Sequence, residues 1–315
     1  MENTNETSGS DRTPVSNFEE LLNKPIHNED DYFHYVEALY DEWKKRVVNY
    51  PTFKSMLKCF GCLNPDLPPQ FFTGDIKSKV VIISLNGHAG DQRSEIDATP
   101  HCQEWPMYKD YWENFVTKRY KDYKIDPNTK KERPVSNFDA KLHQFLDGRI
   151  VDVTSNDLSQ WHLLHMELCP FLSSSYSSSV DIGYIKNYLL RTLEAIALQK
   201  REIVLVLNGQ ICTILDKFIP KKRHTKKNEY LNGDLQVITN IEKSFYLTKK
   251  NNEKTRFEAK RIDYTVKLKN LGEKTLNIVA VPTFAMQGMA GDLLVEYNQK
   301  AFMDEERKII TDAIH

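Results

Sequence analysis

Three polar residues able to handle a water or a proton follow closely on an apolar run in this chain. Lys79-Val80-Val81-Ile82-Ile83-Ser84-Leu85 is succeeded by Asn86-Gly87-His88-Ala89-Gly90-Asp91. The amide of Asn86 can hold a water in line for attack, His88 can donate to an anion or a leaving group, and Asp91 can act as a base or a stabilising carboxylate. The same residue types also serve plainer ends: Asn86 as a turn residue, His88 as a loop brace, Asp91 as an exposed acid. A further carboxylate, Glu167, lies within Leu163-Leu164-His165-Met166-Glu167-Leu168-Cys169-Pro170-Phe171. An ionised carboxylate only accepts hydrogen bonds, so an exocyclic amine suits it; the other reading pairs Glu167 with a buried base such as His165. Both readings require a specific partner.

These residues need strands to deliver them. Continuous apolar runs that end in polar, glycine or proline residues occur at 79–85, 163–168, 203–207 and 276–284, which is how parallel strands buried on both faces read. Helical spacing fills the intervals. Tyr32, Tyr35, Val36, Leu39, Tyr40, Trp43 and Val47 form one stripe over 29–49, and further helices are expected at 108–120, 138–147, 181–199, 210–218 and from the loop 285–291 to about 314. Strand-helix-strand repetition implies a parallel sheet with helices on both faces. A strand at 235–240 is followed by an inserted basic β ribbon over 242–272, where Phe257, Ala259, Ile262, Tyr264, Val266 and Leu268 partly alternate with charged positions. Residues 1–16 read as a disordered polar tail, and 17–315 as one domain with a helical elaboration over 17–70.

The chain of 315 residues has a formal net charge of −1, but the charge is unevenly spread. Residues 1–31 hold eight acids against two bases, and 217–274 hold sixteen Lys or Arg against seven acids. A basic zone points to a polyanionic partner or, more plainly, to a lysine-rich solvated insertion. Lys221, Lys222, Arg223, Lys226 and Lys227 are the candidate phosphate contacts, with Arg256, Lys260 and Arg261 extending them along the ribbon. No apolar stretch is long enough to span a bilayer and no signal-peptide core is present, so a cytoplasmic protein without membrane contact is expected. Five cysteines argue against a disulfide scaffold, and Cys59-x-x-Cys62 with His101-Cys102 reads as free thiols around a turn rather than a metal site. There is no Gly-rich phosphate loop or dinucleotide fingerprint, and no cofactor is expected.

Taken in order, the strand ends resemble the uracil-DNA glycosylase superfamily over residues 70–300. Leu85-Asn86-Gly87 resembles the Ile-Asn-Pro-Gly signature of its mismatch-specific branch, and Glu167-Leu168-Cys169-Pro170-Phe171-Leu172-Ser173 resembles an Asn-Leu-x-Pro-Tyr-x-Ser motif of bacterial relatives. Pro282-Thr283-Phe284 falls where the final His-Pro-Ser-Pro loop belongs. Gly87 replaces the motif proline, and the final histidine is missing. The resemblance implies a three-layer α/β/α fold on a short central parallel sheet of about four strands, and a metal-independent, monofunctional DNA glycosylase.

It further implies that Asn86 aims a water at C1′ of a flipped nucleotide, with His88 and Asp91 assisting. Glu167 stands where uracil-removing relatives carry an asparagine, which points to a cytosine-type base. Phe171 and Phe284 are candidates to stack on it, and Thr283 to line the pocket. In the loop Met286-Gln287-Gly288-Met289-Ala290-Gly291, Gln287 and Met289 are expected at the DNA, Met289 as a wedge. The loop 91–107 and the ribbon would enlarge the pocket for a bulky base, as in superfamily members that attack glucosylated hydroxymethylcytosine in phage DNA as an antiviral defence. The expected partner is DNA and the expected state a monomer. Alternatives are a catalytically degenerate nucleic-acid-binding protein and a nucleoside or nucleotide hydrolase.

Overall fold

The computed structural model describes residues 23–44, 68–85, 102–114, 137–150, 161–170, 186–219, 234–248, 256–286 and 288–315. In chain order these form α1 (Glu29–Lys44), β1 (Phe72–Thr73), β2 (Val80–Ser84), α2 (Trp105–Glu113), α3 (Asn137–Asp147), β3 (Leu163–Glu167), α4 (Lys186–Ala197), β4 (Ile203–Val206) and α5 (Gly209–Asp216). A long hairpin, β5 (Leu235–Thr248) and β6 (Arg256–Leu268), precedes β7 (Lys274–Ala280), α6 (Asp292–Ala301) and α7 (Asp304–Ile314). The architecture is α/β, as expected. The sheet is larger than the expected four strands: the described residues form seven, in the order β1-β3-β2-β4-β7-β6-β5.

Its centre is parallel, β2 pairing with β3 on one side and β4 on the other, and β4 with β7. Antiparallel strands flank this centre, β1 on β3 and the β6–β5 hairpin on β7. The extra strands arise because the hairpin does not stand apart from the sheet. Val237, Tyr264, Val266 and Leu268 are buried in the same cluster as the central strands, so the hairpin extends the sheet where sequence spacing suggested a separate ribbon. Its strands run over 235–248 and 256–268, beginning earlier than the expected 242.

Alternation along β2 shows why both faces need helices. Val81 and Ile83 pack with α1, α2, α4 and α5, whereas Val80 and Ile82 pack with α3, α6 and α7. All five residues of the strand are buried, which two helix layers allow and one would not.

The single final helix expected from sequence is two. The chain is extended at Phe302 and Met303, and α7 restarts with Asp304, Glu305 and Glu306 in its first turn, where carboxylates favour the helix dipole. Glu306 accepts from the Met303 backbone N–H at 2.9 Å and holds the Arg261 guanidinium through both oxygens, at 2.6 and 2.7 Å. The break is therefore fixed by a tertiary ion pair. At the other edge, Gly74 turns the chain out of β1 with φ +87°, and a Cβ there would stand 2.1 Å from the Leu163 carbonyl oxygen. Replacing Gly74 by Ala is expected to cost about 3 kcal/mol, read as a lower urea midpoint with an unchanged m-value; a midpoint equal to wild type would show that β1 is not held against β3 in this way.

Candidate functional site

The parallel strands leave β2 first to one side, to β3, and then to the other, to β4 and β7. Such a reversal opens a crevice outside the carboxyl ends of the strands, here between β2 and β4. The chain past those ends supplies Leu85 beyond β2 and Asn208 beyond β4. Asn208 caps α5, its side-chain oxygen accepting from the Gln210 backbone N–H at 2.7 Å. Cross-strand bonds hold the β2 and β3 ends together: the N–H groups of Leu168 and Cys169 donate to the carbonyls of Ser84 and Leu85 at 2.9 and 2.7 Å.

On one face of this edge three polar side chains meet. Ser84 is the register partner of Glu167, and His165 lies two residues before Glu167, so strand alternation puts all three on the face covered by α3, α6 and α7. Ser84 Oγ donates to Glu167 Oε2 at 2.7 Å and lies 2.6 Å from His165 Nε2. His165 Nε2 is 3.4 Å from Glu167 Oε1. The serine has one proton. With that proton given to the carboxylate, its oxygen must accept from the His165 Nε2–H, which fixes the tautomer and the polarity of the chain. With Glu167 ionised, Ser84 is thus a relay between an imidazole donor and a carboxylate.

Glu167 is 4% exposed. Burial pushes its carboxyl above the usual range, against the pull of His165 and of the Ser84 hydrogen bond. From behind, the Tyr188 hydroxyl donates to the Glu167 carbonyl at 3.1 Å, tying the strand end to α4. The partner that either reading of Glu167 required is present, in His165 and Ser84. Sequence reasoning named the first and missed the second, whose one signal is a polar residue closing an apolar strand.

The other candidates divide. Asn86, His88, Asp91, Phe171, Gln287, Lys221, Lys222, Arg223, Lys226 and Lys227 lie outside the described residues, as do Cys59, Cys62 and His101. Thr283, Phe284 and Met289 are described, and all three are engaged in packing. Thr283 Oγ1 accepts from the Lys260 backbone N–H at 3.1 Å, clasping the last loop to the hairpin. The Phe284 ring is 1% exposed and packs on Phe145 with centroids 5.2 Å apart, which corrects the expectation that it stacks on a base. The wedge expectation for Met289 is also corrected: it is 2% exposed, within the cluster of α3, α6 and α7. Met286, in the same loop, is 49% exposed.

Of the described ribbon cations only Arg261 is withdrawn from solvent. Arg261 is buried among Asp263, Glu306 and the Ala301 carbonyl, and Lys260 pairs with Glu242 at 2.7 Å. Arg256 is exposed.

A cleft of about 600 Å³ opens at the opposite pole, where the parallel strands begin, lined in part by Lys79, Val80, Trp161, His162 and Glu202. Its carboxylates are partnered: Glu202 with Lys79 at 2.8 Å, Glu113 with Lys109 at 3.4 Å and Asp312 with Lys308 at 2.5 Å. The buried, raised carboxyl of Glu167 and the reversal of strand order lie instead at the carboxyl pole, which makes that pole the candidate site. Among the described residues no group of three or more His, Cys, Asp or Glu side chains could hold a metal ion, and no helix is long and apolar enough to cross a membrane. Compared with protein-family models, with characterised proteins and with solved structures, the chain matches none.

The raised carboxyl gives a signed prediction. A glutamate whose folded pKa lies above its unfolded value contributes stability in acid and loses it as pH rises through the folded value. Glu167→Gln keeps an acceptor for Ser84 and removes the ionisation. The variant is expected to gain stability relative to wild type as pH rises from about 4 towards 8, measured by urea unfolding; a constant difference across that range would refute the buried, raised carboxyl. Ser84→Ala, which leaves Glu167 without its donor, is expected to cost about 2 kcal/mol.

Proposed function

We propose that the protein is a DNA glycosylase that hydrolyses the N-glycosidic bond of a flipped cytosine-type base, leaving an abasic site. One observation carries the reading: Ser84 and Glu167 are register partners in hydrogen-bond contact at the carboxyl ends of β2 and β3, and Asn86 follows Ser84 by two residues. In this reading the amide that orients water follows the end of β2 in sequence, and the carboxylate that reads the base closes β3. Further support comes from the α/β architecture, with its parallel centre reversing direction at β2.

In this mechanism Glu167 accepts from the exocyclic amine of the extruded base, and the Ser84–His165 chain holds the carboxylate in place for it. Asn86 orients a water towards C1′. As the C1′–N bond breaks, positive charge develops on the sugar and Asp91 or the DNA phosphates stabilise it. Water oxygen bonds to C1′, its proton passes to Asp91, and the base departs with its electron pair, to which His88 donates. The neutral bases of DNA stack and pair, so extrusion is easiest for a modified or weakened pair. A glucosylated hydroxymethylcytosine is the substrate proposed.

A second reading, a non-catalytic nucleic-acid-binding protein on the same scaffold, draws on the internal satisfaction of Glu167 by Ser84 and on the packed state of Thr283 and Phe284. One experiment separates them. Duplex DNA bearing cytosine, hydroxymethylcytosine or its glucosylated form is incubated with the protein, and alkali-sensitive abasic sites are counted. Abasic sites are expected in the modified DNA alone, with Asn86→Ala losing about 10² to 10³ in rate while still binding. No release from any of the three, with binding intact, leaves the second reading; equal release from unmodified DNA sinks the substrate assignment.

A further inference from the structure

Lys141 is a cation without a counter-ion. Among the described residues no carboxylate lies within ion-pair distance of its ammonium; its one close charged-group contact is the face of Phe284, with Nζ 4.8 Å from the ring centroid. The side chain is half-buried, and burial pulls the ammonium below the usual lysine range with no acidic neighbour to offset it. A half-buried charge is costly unless something pairs with it, and an aromatic face returns only part of that cost. The other cations packed near this layer are satisfied: Arg261 by Asp263 and Glu306, and Lys300 by Glu296 at 2.7 Å.

The location of the ammonium bears on its role. Helix α3 runs against the direction of the parallel strands. Its last residue, Asp147, meets His315 at 3.5 Å, and His143 stacks on Trp161, just before β3 begins. That end of α3 lies at the amino pole. Lys141 lies mid-helix, and its ammonium meets Phe284, which follows directly on the end of β7 at the carboxyl pole.

We propose that Lys141 is a phosphate-binding residue, its ammonium over Phe284 taking a phosphate oxygen of the substrate at the carboxyl pole. The inference rests on the reading of that pole as the substrate face. A phosphate supplies both the charge and the hydrogen-bond acceptors that the protein withholds from this ammonium. The phosphate belongs to a polynucleotide backbone or to a free nucleotide, and the two sources are separable by experiment.

Wild type, Lys141→Met and Lys141→Arg are titrated with a short unmodified DNA duplex across a salt series, and separately with deoxycytidine monophosphate. Lys141→Met is expected to bind the duplex several-fold more weakly and to reduce the log–log salt slope by about 1, while Lys141→Arg keeps the slope. A loss confined to the mononucleotide upholds the phosphate contact and assigns it to a small-molecule substrate. Unchanged duplex and mononucleotide binding in Lys141→Met, or no binding of either by wild type, overturns the proposal. Thermal melting of the variants guards against misfolding, and Lys141→Gln repeats the test with a polar neutral side chain. If wild type releases no base from modified DNA yet the slope still falls in Lys141→Met, the glycosylase reading fails and the phosphate site stands. Base release with an unchanged slope has the opposite meaning.

Discussion

Strand β2 is buried at all five positions and bonded to β3 on one edge and β4 on the other, so its side chains must be shared between two helix layers. Parity then decides the character of its last residues. Val80 and Ile82 lie in the layer of α3, α6 and α7, and the next residue on that face is Ser84, where the apolar cluster gives out. Register places Glu167 opposite it and His165 opposite Ile82. A slip of one residue would bring Leu85 to this position and turn the polar group into the other layer. The contact between three side chains separated by 81 and 83 residues in sequence is thus a consequence of how the central strand is packed.

Burying a carboxylate at such a place is expensive, and the way the expense is met limits what the site can do. One oxygen of Glu167 takes the Ser84 proton, while the other faces His165 at the longer distance of 3.4 Å. The second oxygen retains acceptor capacity. The hydrogen-bond chain has a direction, from imidazole through hydroxyl to carboxylate, and it holds Glu167 in one orientation without using up that capacity. The last loop is built differently. Thr283, Phe284 and Met289 are committed to the hairpin and to the helix layer, so among the described residues the convergent polar side chains at this pole are those of Ser84, His165 and Glu167.

Much of this was legible in the sequence. The runs at 79–85, 163–168 and 203–207 are strands because a strand buried on both faces needs no alternation, and a continuous apolar run of that length has little else to be. The failures share a cause, which is that tertiary partners override local pattern. The run at 276–284 stops being a strand at Ala280, since Pro282 has no N–H to continue the ladder and a 3₁₀ turn follows. Nothing in Phe302-Met303 breaks a helix; the break depends on Glu306 and its distant partner Arg261. Ser84 carries no periodic signal and gains its role from cross-strand register. Met286 and Met289 are equivalent by composition, and packing alone tells them apart.

Charge shows the same principle in its sharpest form. The interval 217–274 carries an excess of basic residues, yet four of its eight described cations are matched by carboxylates: Lys243 and Arg261 with Asp263, Lys260 with Glu242 and Lys267 with Glu273, and Arg261 also with Glu306 from far along the chain. Residues 137–150 carry two acids and two bases, with no excess at all, and hold the ammonium that lies over an aromatic ring with no carboxylate beside it among the described residues. Beyond about 8–10 Å in physiological salt a matched pair exerts little field, so a polyanion close to the surface responds to cations left uncompensated and not to their number along the sequence. A cation count along the sequence is therefore a poor guide to where a polyanion would bind, and one half-buried lysine over Phe284 can weigh as much as several matched pairs on the hairpin.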